Sequence, residues 1–196
     1  MIKRFGWTAL GLASLAIPAE GLILLDPDEV AIVYRFGEID RQLQSGLHFR
    51  IPWPVESHTT VAHTEVRTLP LESQHLLTSD ASLIDLTLSI QYTVSDPIAF
   101  VLGSVDPANT VAQVVRGASA QAAATTDIDT MIDNRGVLQD RIRTLSQGDL
   151  DTLATGIRIE TIDVQDLSPP PPVLDAFNDV SSAKSDREPT ILAAQA

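Results

Sequence analysis

Histidine and cysteine set the first limits on the chemistry available to this chain. It contains no cysteine, which removes disulfides, thiol catalysis and thiolate metal sites. Its four histidines are His48, His58, His63 and His75. His58 and His63 are the closest pair, but five residues along a strand places two side chains on opposite faces. A metal site would need another pairing, such as His63 with Glu65, and zinc-type ligand spacing is absent. We interpret the histidines as solvent-facing strand residues.

The carboxylates and serines form no pattern that predicts catalysis. Asp127, Asp129 and Asp133 resemble a calcium loop only superficially, because the glycine and the distal glutamate are missing. Asp127 or Asp133 fits better as a helix cap. The sequence contains no G-x-S-x-G and no glycine-rich phosphate loop, and the serines beside Lys184 lie in polar sequence that predicts no catalytic site. We therefore expect no catalytic residue, no metal and no cofactor, and we predict that the protein is not an enzyme.

The charge balance excludes another class of partner. The formal net charge is −13 and the pI is about 4.5. Residues 1–98 carry six basic and twelve acidic residues, and residues 99–196 carry seven and fourteen. Nucleic-acid binding needs a basic face that neutralises phosphates. The even acidic spread therefore predicts no nucleic-acid partner.

Residues 84–94 carry the clearest periodic signal. One parity is apolar and the other is polar; the apolar positions are Ile84, Leu86, Leu88, Ile90, Tyr92 and Val94. This unbroken alternation predicts a strand with one buried face and one solvent-exposed face, as in antiparallel sheets. Asp96-Pro97 ends it, because proline has no N–H for the ladder.

The stretch 26–54 predicts two short strands joined by a turn. Val30, Ile32, Tyr34 and Phe36 lie on one parity, and Gly37 breaks the strand. A second alternation, Leu47, Phe49 and Ile51, ends at Pro52-Trp53-Pro54. Residues 57–71 alternate weakly and predict a partly exposed strand.

Two helices and a last strand follow. Asp106 is a predicted N-cap with Pro107 at the first helical position, and the stripe that follows is Val111, Val114, Val115, Ala118 and Ala122. A second helix is predicted to begin at Asp133 or Asn134, with Leu138, Ile142 and Leu145 inward, ending at Gly148 or continuing to Gly156. The strand Ile157–Leu167 changes its apolar parity, which a bulge near 160–161 would reconcile.

Before this domain lies an apolar run from Phe5 to Leu25. It is just long enough to span a bilayer, which takes about 20 residues. Lys3 and Arg4 precede the run, and acidic residues follow it. The positive-inside bias therefore predicts a cytoplasmic N-terminus, with the rest of the chain on the extracytoplasmic side of the membrane. The residues expected to contact lipid here are Trp7, Leu10, Leu12, Leu15 and Ile17. A cleaved signal peptide with Phe5–Ile17 as its apolar core, or a buried core helix, is the alternative.

Several motifs in order resemble one family. E-V-A-I-V-Y-R-F-G-E and G-L-H-F-R-I-P-W-P within 29–54 are followed by L-T-S-D-A at 77–81, I-Q-Y-T-V-S-D-P at 90–97 and F-N-D-V-S-S-A-K-S-D-R-E at 177–188. This series resembles the SPFH (Band 7, stomatin/prohibitin) superfamily, and the W-P resembles its HflK branch. The resemblance runs from about Leu22 to about Glu188.

The resemblance implies a fold and a role. The fold would be α+β: residues 1–25 an N-terminal transmembrane anchor, 26–168 an SPFH domain with a twisted, mainly antiparallel sheet and helices packed on one side, and 169–196 a proline-rich spacer and truncated C-terminal helix. Trp53 would contact the membrane interface; the alternative is an indole that fills the core.

The role implied is that of a bacterial inner-membrane protein with an extracytoplasmic domain. It would assemble as a hetero- or homo-oligomer with an HflC-like SPFH partner around an FtsH-type membrane protease, and limit that protease's access to membrane substrates. One departure is Pro189, which interrupts the helix that continues as a coiled coil in HflK-like proteins. A stomatin-like scaffold of membrane microdomains without a protease partner is the main alternative, and a membrane hydrolase is a third.

Overall fold

The computed structural model describes residues 21–170, which divide into two compact units. One unit comprises residues 21–67, 93–105 and 153–158, and the other 68–92, 106–152 and 159–170. Both strands and helices are present, which confirms the predicted α+β class. Several predicted features lie outside the described residues: the lipid-contacting Trp7, Leu10, Leu12, Leu15 and Ile17, and the C-terminal helix from Val173.

The first unit contains two small antiparallel sheets. Strands β1 (Leu22–Leu25) and β4 (Gly46–Phe49) form one of them. The other has the order β3-β2-β5, with β2 at Glu29–Arg35, β3 at Glu38–Leu43 and β5 at Glu56–Ala62. The shared core between them consists of Ile23, Leu25, Ala31, Val33 and Leu43.

Strand β1 corrects the predicted end of the anchor. Leu22–Leu25 pair with β4 residue by residue, so extending a membrane span through Leu25 is wrong. The physical reason is that these four residues alternate between a buried and an exposed side, which hydropathy alone does not reveal.

Strand β2 is confirmed, and both of its faces are buried. Val30, Ala31, Ile32 and Val33 are all buried, because β2 is the middle strand of its sheet and both of its faces are covered. Phe36 lies beyond the strand in a turn with φ 52, followed by Gly37 with φ 91. The turn leads into β3, a strand that the sequence pattern does not predict.

A short helix, α1 (Pro97–Gly103), follows in the same unit. Asp96 caps it by accepting hydrogen bonds from the backbone N–H groups of Ile98 and Ala99. The sequence predicts the end of a strand at this proline but not the helix. Gly156 lies against the start of α1, where its carbonyl accepts from the N–H groups of Ser95 and Asp96.

The second unit is built on the sheet β6-β7-β8, with β6 at Arg67–Leu77, β7 at Leu83–Val94 and β8 at Ile157–Ser168. The prediction for β7 is confirmed: six alternate side chains from Ile84 to Val94 are buried and those between them are not. Along β8 the buried parity changes between Ile159 and Ile162, as predicted. The weak strand predicted over 57–71 is two strands, β5 and β6.

Three helices complete this unit: α2 (Pro107–Ala124), α3 (Ile128–Asp133) and α4 (Arg135–Thr152). Asp106 caps α2 as predicted, with its carboxylate accepting from Asn109 N–H at 3.1 Å. The start of α4 beside Asn134 is also confirmed, and α4 continues past Gly148 to Thr152. Helix α2 packs against α4, and Gln74 on β6 donates to the Ser119 hydroxyl on α2 at 2.8 Å.

None of the helices within residues 21–170 is by itself long and apolar enough to cross a bilayer. Helices α1 and α2 meet that requirement of length and composition only when they are taken together as a bent pair.

Candidate functional site

One side of the β1–β4 sheet is an exposed apolar surface. Its register places Leu22 opposite Phe49 and Leu24 opposite Leu47. Residues directly opposite each other in an antiparallel pair project to the same face. We call this side the outer face, defined by Leu22, Leu24, Leu47 and Phe49. All four side chains are apolar, and each is 56–76% exposed.

The opposite side of the same sheet is part of the core. Ile23 and Leu25 are buried there against Ala31, Val33 and Leu43. A two-stranded sheet with apolar residues on both sides is expected when both sides are covered. Contiguous exposed apolar patches in soluble proteins mark binding surfaces. The outer face is therefore the candidate binding surface of this unit.

Trp53 is a further exposed apolar side chain, in the loop that follows β4. Its side chain is 81% exposed, so the alternative in which the indole fills the core is wrong. Whether it contacts lipid stays a prediction. Ile51, which precedes it in the loop, is also exposed. The loop is joined to the β2–β3 turn, because Phe36 N–H donates to the Val55 carbonyl at 3.2 Å.

Phe36 adds a second exposed aromatic ring beside this loop. Its side chain is 80% exposed. A bulky residue at φ 52 is uncommon, since its Cβ crowds the following carbonyl. The turn therefore holds an apolar ring outward at some cost in backbone energy.

A buried carboxylate, Glu56, holds the Trp53 loop in place. Its side chain is fully buried and accepts hydrogen bonds from Arg41 at 3.0 Å and from Arg35 at 2.7 Å. Its second oxygen accepts from Ile51 N–H at 2.9 Å. Arg50 Nη1 donates to the Glu56 backbone carbonyl at 3.1 Å. One residue thus connects β2, β3 and both ends of the loop that carries Trp53.

The electrostatics of Glu56 follow from these donors. Hydrogen bonds from Arg41 contribute most, followed by those from Arg35 and the Ile51 N–H, and together they lower the Glu56 pKa from 4.5 to about 2, against the opposing effect of burial. The hydrogen bonds and negative charges of Glu56 and Asp40 in turn raise the pKa of Arg41. The carboxylate is ionised at neutral pH, and its role is structural positioning.

The structure brings none of the histidines together into a site. His63 donates through Nδ1 to the Asp28 carbonyl at 2.8 Å, and His75 is hydrogen-bonded to Asp85 across neighbouring strands. Burial and the nearby Arg50 lower the pKa of His58. Within residues 21–170, no group of three His, Asp or Glu side chains could hold a metal ion.

Asp127 caps α3, which confirms that interpretation of the acidic cluster. Its carboxylate accepts from Thr130 N–H at 3.0 Å, and this bond lowers its pKa. The side chain is thereby used in starting a helix.

Comparison with known proteins gives a family for this sequence. The model of the SPFH domain / Band 7 family matches residues 23–196. Protein HflK of Borreliella burgdorferi is 24% identical over 183 residues, which cover 85% of this chain and 59% of that protein. Protein HflK of Vibrio parahaemolyticus is 27% identical over 196 residues, which cover 96% of this chain and 48% of that protein.

A third relative has a different length. An uncharacterized protein of Methanocaldococcus jannaschii is 22% identical over 189 residues, which cover 96% of this chain and 93% of that protein. By contrast, the chain spans about half the length of the curated HflK relatives that it matches.

Proposed function

The chain belongs to the SPFH domain / Band 7 family, and we propose that it is an HflK-like, non-catalytic regulator that works at a membrane surface. The observation that carries this proposal is the match to proteins named HflK over 85–96% of this chain. The exposed outer face at the start of the domain supports the membrane part of the proposal, because apolar side chains are favoured in hydrocarbon over water.

The proposed arrangement begins with a single transmembrane anchor in the N-terminal residues that precede strand β1. Lys3 and Arg4 keep the N-terminus in the cytoplasm of a bacterial cell, and the rest of the chain is extracytoplasmic on the inner membrane. An impermeant thiol reagent added to spheroplasts would reach a cysteine placed at Val137 only with this orientation.

The proposed partners are an HflC-like SPFH protein and an FtsH-type membrane protease. Confinement of the domain to a bilayer raises its effective concentration toward other anchored proteins, so weak lateral contacts suffice for a hetero- or homo-oligomer. An assembly of this kind around a protease would act by excluding membrane substrates sterically. Such a role needs no reactive side chain.

Co-purification in mild detergent tests the proposed partners. We expect the tagged full chain, expressed with its native neighbours, to retain an FtsH-type protease and a second SPFH protein in a particle much larger than a monomer. A monomer without either protein would contradict the regulator. Capture of lipid or channel proteins without the protease would support the stomatin-like scaffold instead.

A further inference from the structure

We propose that helix α4 binds a second copy of this chain through its exposed side, with the two helices antiparallel and related by a two-fold axis. This inference rests on the proposed function, because it assumes that the copies are confined to one membrane. It adds to that function by assigning the contact between copies to one helix and to named charged pairs.

The charges of α4 are divided between its two halves. Residues 135–143 contain three arginines and one aspartate, a net charge of +2, and residues 144–152 contain two aspartates and no basic residue, a net charge of −2. Antiparallel pairing of two such helices places each positive half against a negative half. Because complementary charges select partners and set their register, a second copy is the partner that this helix fits.

This order of charges is unfavourable for a helix on its own. The macrodipole favours acidic residues in the first turn and basic residues in the last turn, and α4 has neither. Instead, Arg135 lies at its start, and Asp149 and Asp151 lie in its last turn. An antiparallel second helix brings carboxylates to the first half and arginines to the second half, and so offsets this cost.

Four exposed residues of α4 form the surface that would meet the second copy. Arg141, Thr144, Gly148 and Asp151 follow one another at spacings of three, four and three, so they lie along one side of the helix. We call this side the pairing face, defined by these four residues. Thr144 and Gly148 lie between the two charges, and a Cβ at Gly148 would meet nothing within 4 Å. A second helix can therefore approach closely there.

The pairing face has the symmetry that an antiparallel contact requires. Arg141 and Asp151 have the same midpoint along the helix as Thr144 and Gly148. When the two-fold axis passes at the level of this midpoint, Arg141 of each copy lies level with Asp151 of the other, and Thr144 lies level with Gly148. In this register Val137 lies level with a point beyond the end of the partner helix, so it stays outside the contact.

The two charges of the pairing face are not neutralised within the described part of the chain. Among residues 21–170, Arg141 makes no ion pair. Asp151 accepts a hydrogen bond from the neutral amide of Gln147 at 2.7 Å. By contrast, Arg143 is paired with Asp140 at 3.2 Å on the same helix. The charges available to a partner are therefore those of the pairing face.

Energy transfer between copies of the full chain in phosphatidylcholine vesicles tests this inference. The chain has no cysteine, so Gly136→Cys can carry either a donor or an acceptor dye. A side chain at that position meets nothing within 4 Å. We expect energy transfer that rises with the density of protein in the membrane and falls when excess unlabelled chain is added.

Charge reversals connect the energy transfer to the pairing face. Arg141→Glu and Asp151→Arg should each weaken self-association by at least about tenfold, because each places like charges opposite each other at both ends of the contact. An equal mixture of the two variants should restore it, because each introduced charge then faces its opposite. Both positions are exposed, and Asp151→Arg places a cation where the helix dipole favours one, so the variants retain the fold.

Arg143→Glu and Asp149→Arg are the matched controls. They make the same changes of charge on the same helix, two residues away, which is about 200° around the helix from the corresponding residue of the pairing face. Neither control should change the energy transfer.

Absence of self-association, or single variants at the pairing face that associate as well as the controls, would overturn the inference. A mixture that fails to recover the transfer lost by both single variants would also overturn it, because α4 would then meet some other surface. None of these results would alter the capture of a protease and a second SPFH protein by the full chain. Failure of this inference and failure of the proposed regulator are therefore distinguishable.

Discussion

Replacing Glu56 with glutamine is expected to lower the free energy of unfolding by about 2 kcal/mol, the usual contribution of hydrogen bonds to a charged group, since the two arginines left behind are a third or more exposed. Two arginines and one backbone N–H donate to this carboxylate. Glutamine keeps the volume but offers one neutral acceptor and introduces donors that face other donors. The measurement is urea unfolding of the full chain in detergent at neutral pH.

The same variant has a defined pH signature. The folded-state pKa of Glu56 is about 2, lowered from 4.5, so its contribution to stability is fully present above pH 4.5 and is lost as the pH falls toward 2. The difference in unfolding free energy between the two proteins should therefore shrink over this interval. Glu65→Gln is the control: Glu65 is exposed and lies 3.7 Å from Arg67, so its loss should cost less than about 1 kcal/mol. Equal losses for the two variants, or a difference that ignores pH, would show that Glu56 is an ordinary surface acid.

Gly156→Ala is expected to destabilise the fold by about 3 kcal/mol, combining left-handed strain with overpacking. Gly156 has φ +65, and a Cβ there would lie 2.3 Å from the Asp96 carbonyl oxygen and 2.8 Å from Phe100 N. Both are backbone atoms at the start of α1, so no side-chain rotation can relieve the contact. The change should appear as a lower midpoint in urea unfolding.

Gly148→Ala should act in the opposite direction. Gly148 lies inside α4, and a Cβ there would meet nothing within 4 Å. Alanine in a helix interior is favoured over glycine by about 0.5–1 kcal/mol. A pair of alanine variants that shift the midpoint in the same direction would contradict the close approach at Gly156.

Two elements could be predicted from the sequence because the interactions that form them leave a local pattern. Strand β7 has a single buried face, so its side chains report burial directly through alternation. Asp106 and Pro107 begin α2 because both the cap and the fixed φ act within one turn. Neither element depends on what packs at a distance.

Other elements depend on the rest of the chain. Strand β3 is an edge strand rich in charge, so its sequence carries no apolar alternation. The alternation along β2 identifies a strand, but it does not show that four successive residues of that strand are buried. Helix α1 has seven residues, too few for a helical period to be seen.

The candidate site was predicted only at Trp53. Alternation identifies the strand that carries Leu47 and Phe49, but it does not say which side faces water. The usual assumption that apolar side chains face the core holds for a surface in water and fails where the surroundings are themselves apolar. Glu56 was also missed, because a buried acid cannot be told by sequence from its many exposed counterparts.

Thiol labelling in spheroplasts tests the central claim most directly, because the chain has no cysteine of its own. Leu47→Cys and Val137→Cys would each be treated with an impermeant maleimide, and denatured samples would give the full reactivity of each. If the outer face lies in the membrane and the domain is extracytoplasmic, Val137→Cys reacts fast and Leu47→Cys reacts slowly, although both positions are 67% exposed in the protein itself. Equal fast reaction at both positions would contradict the account.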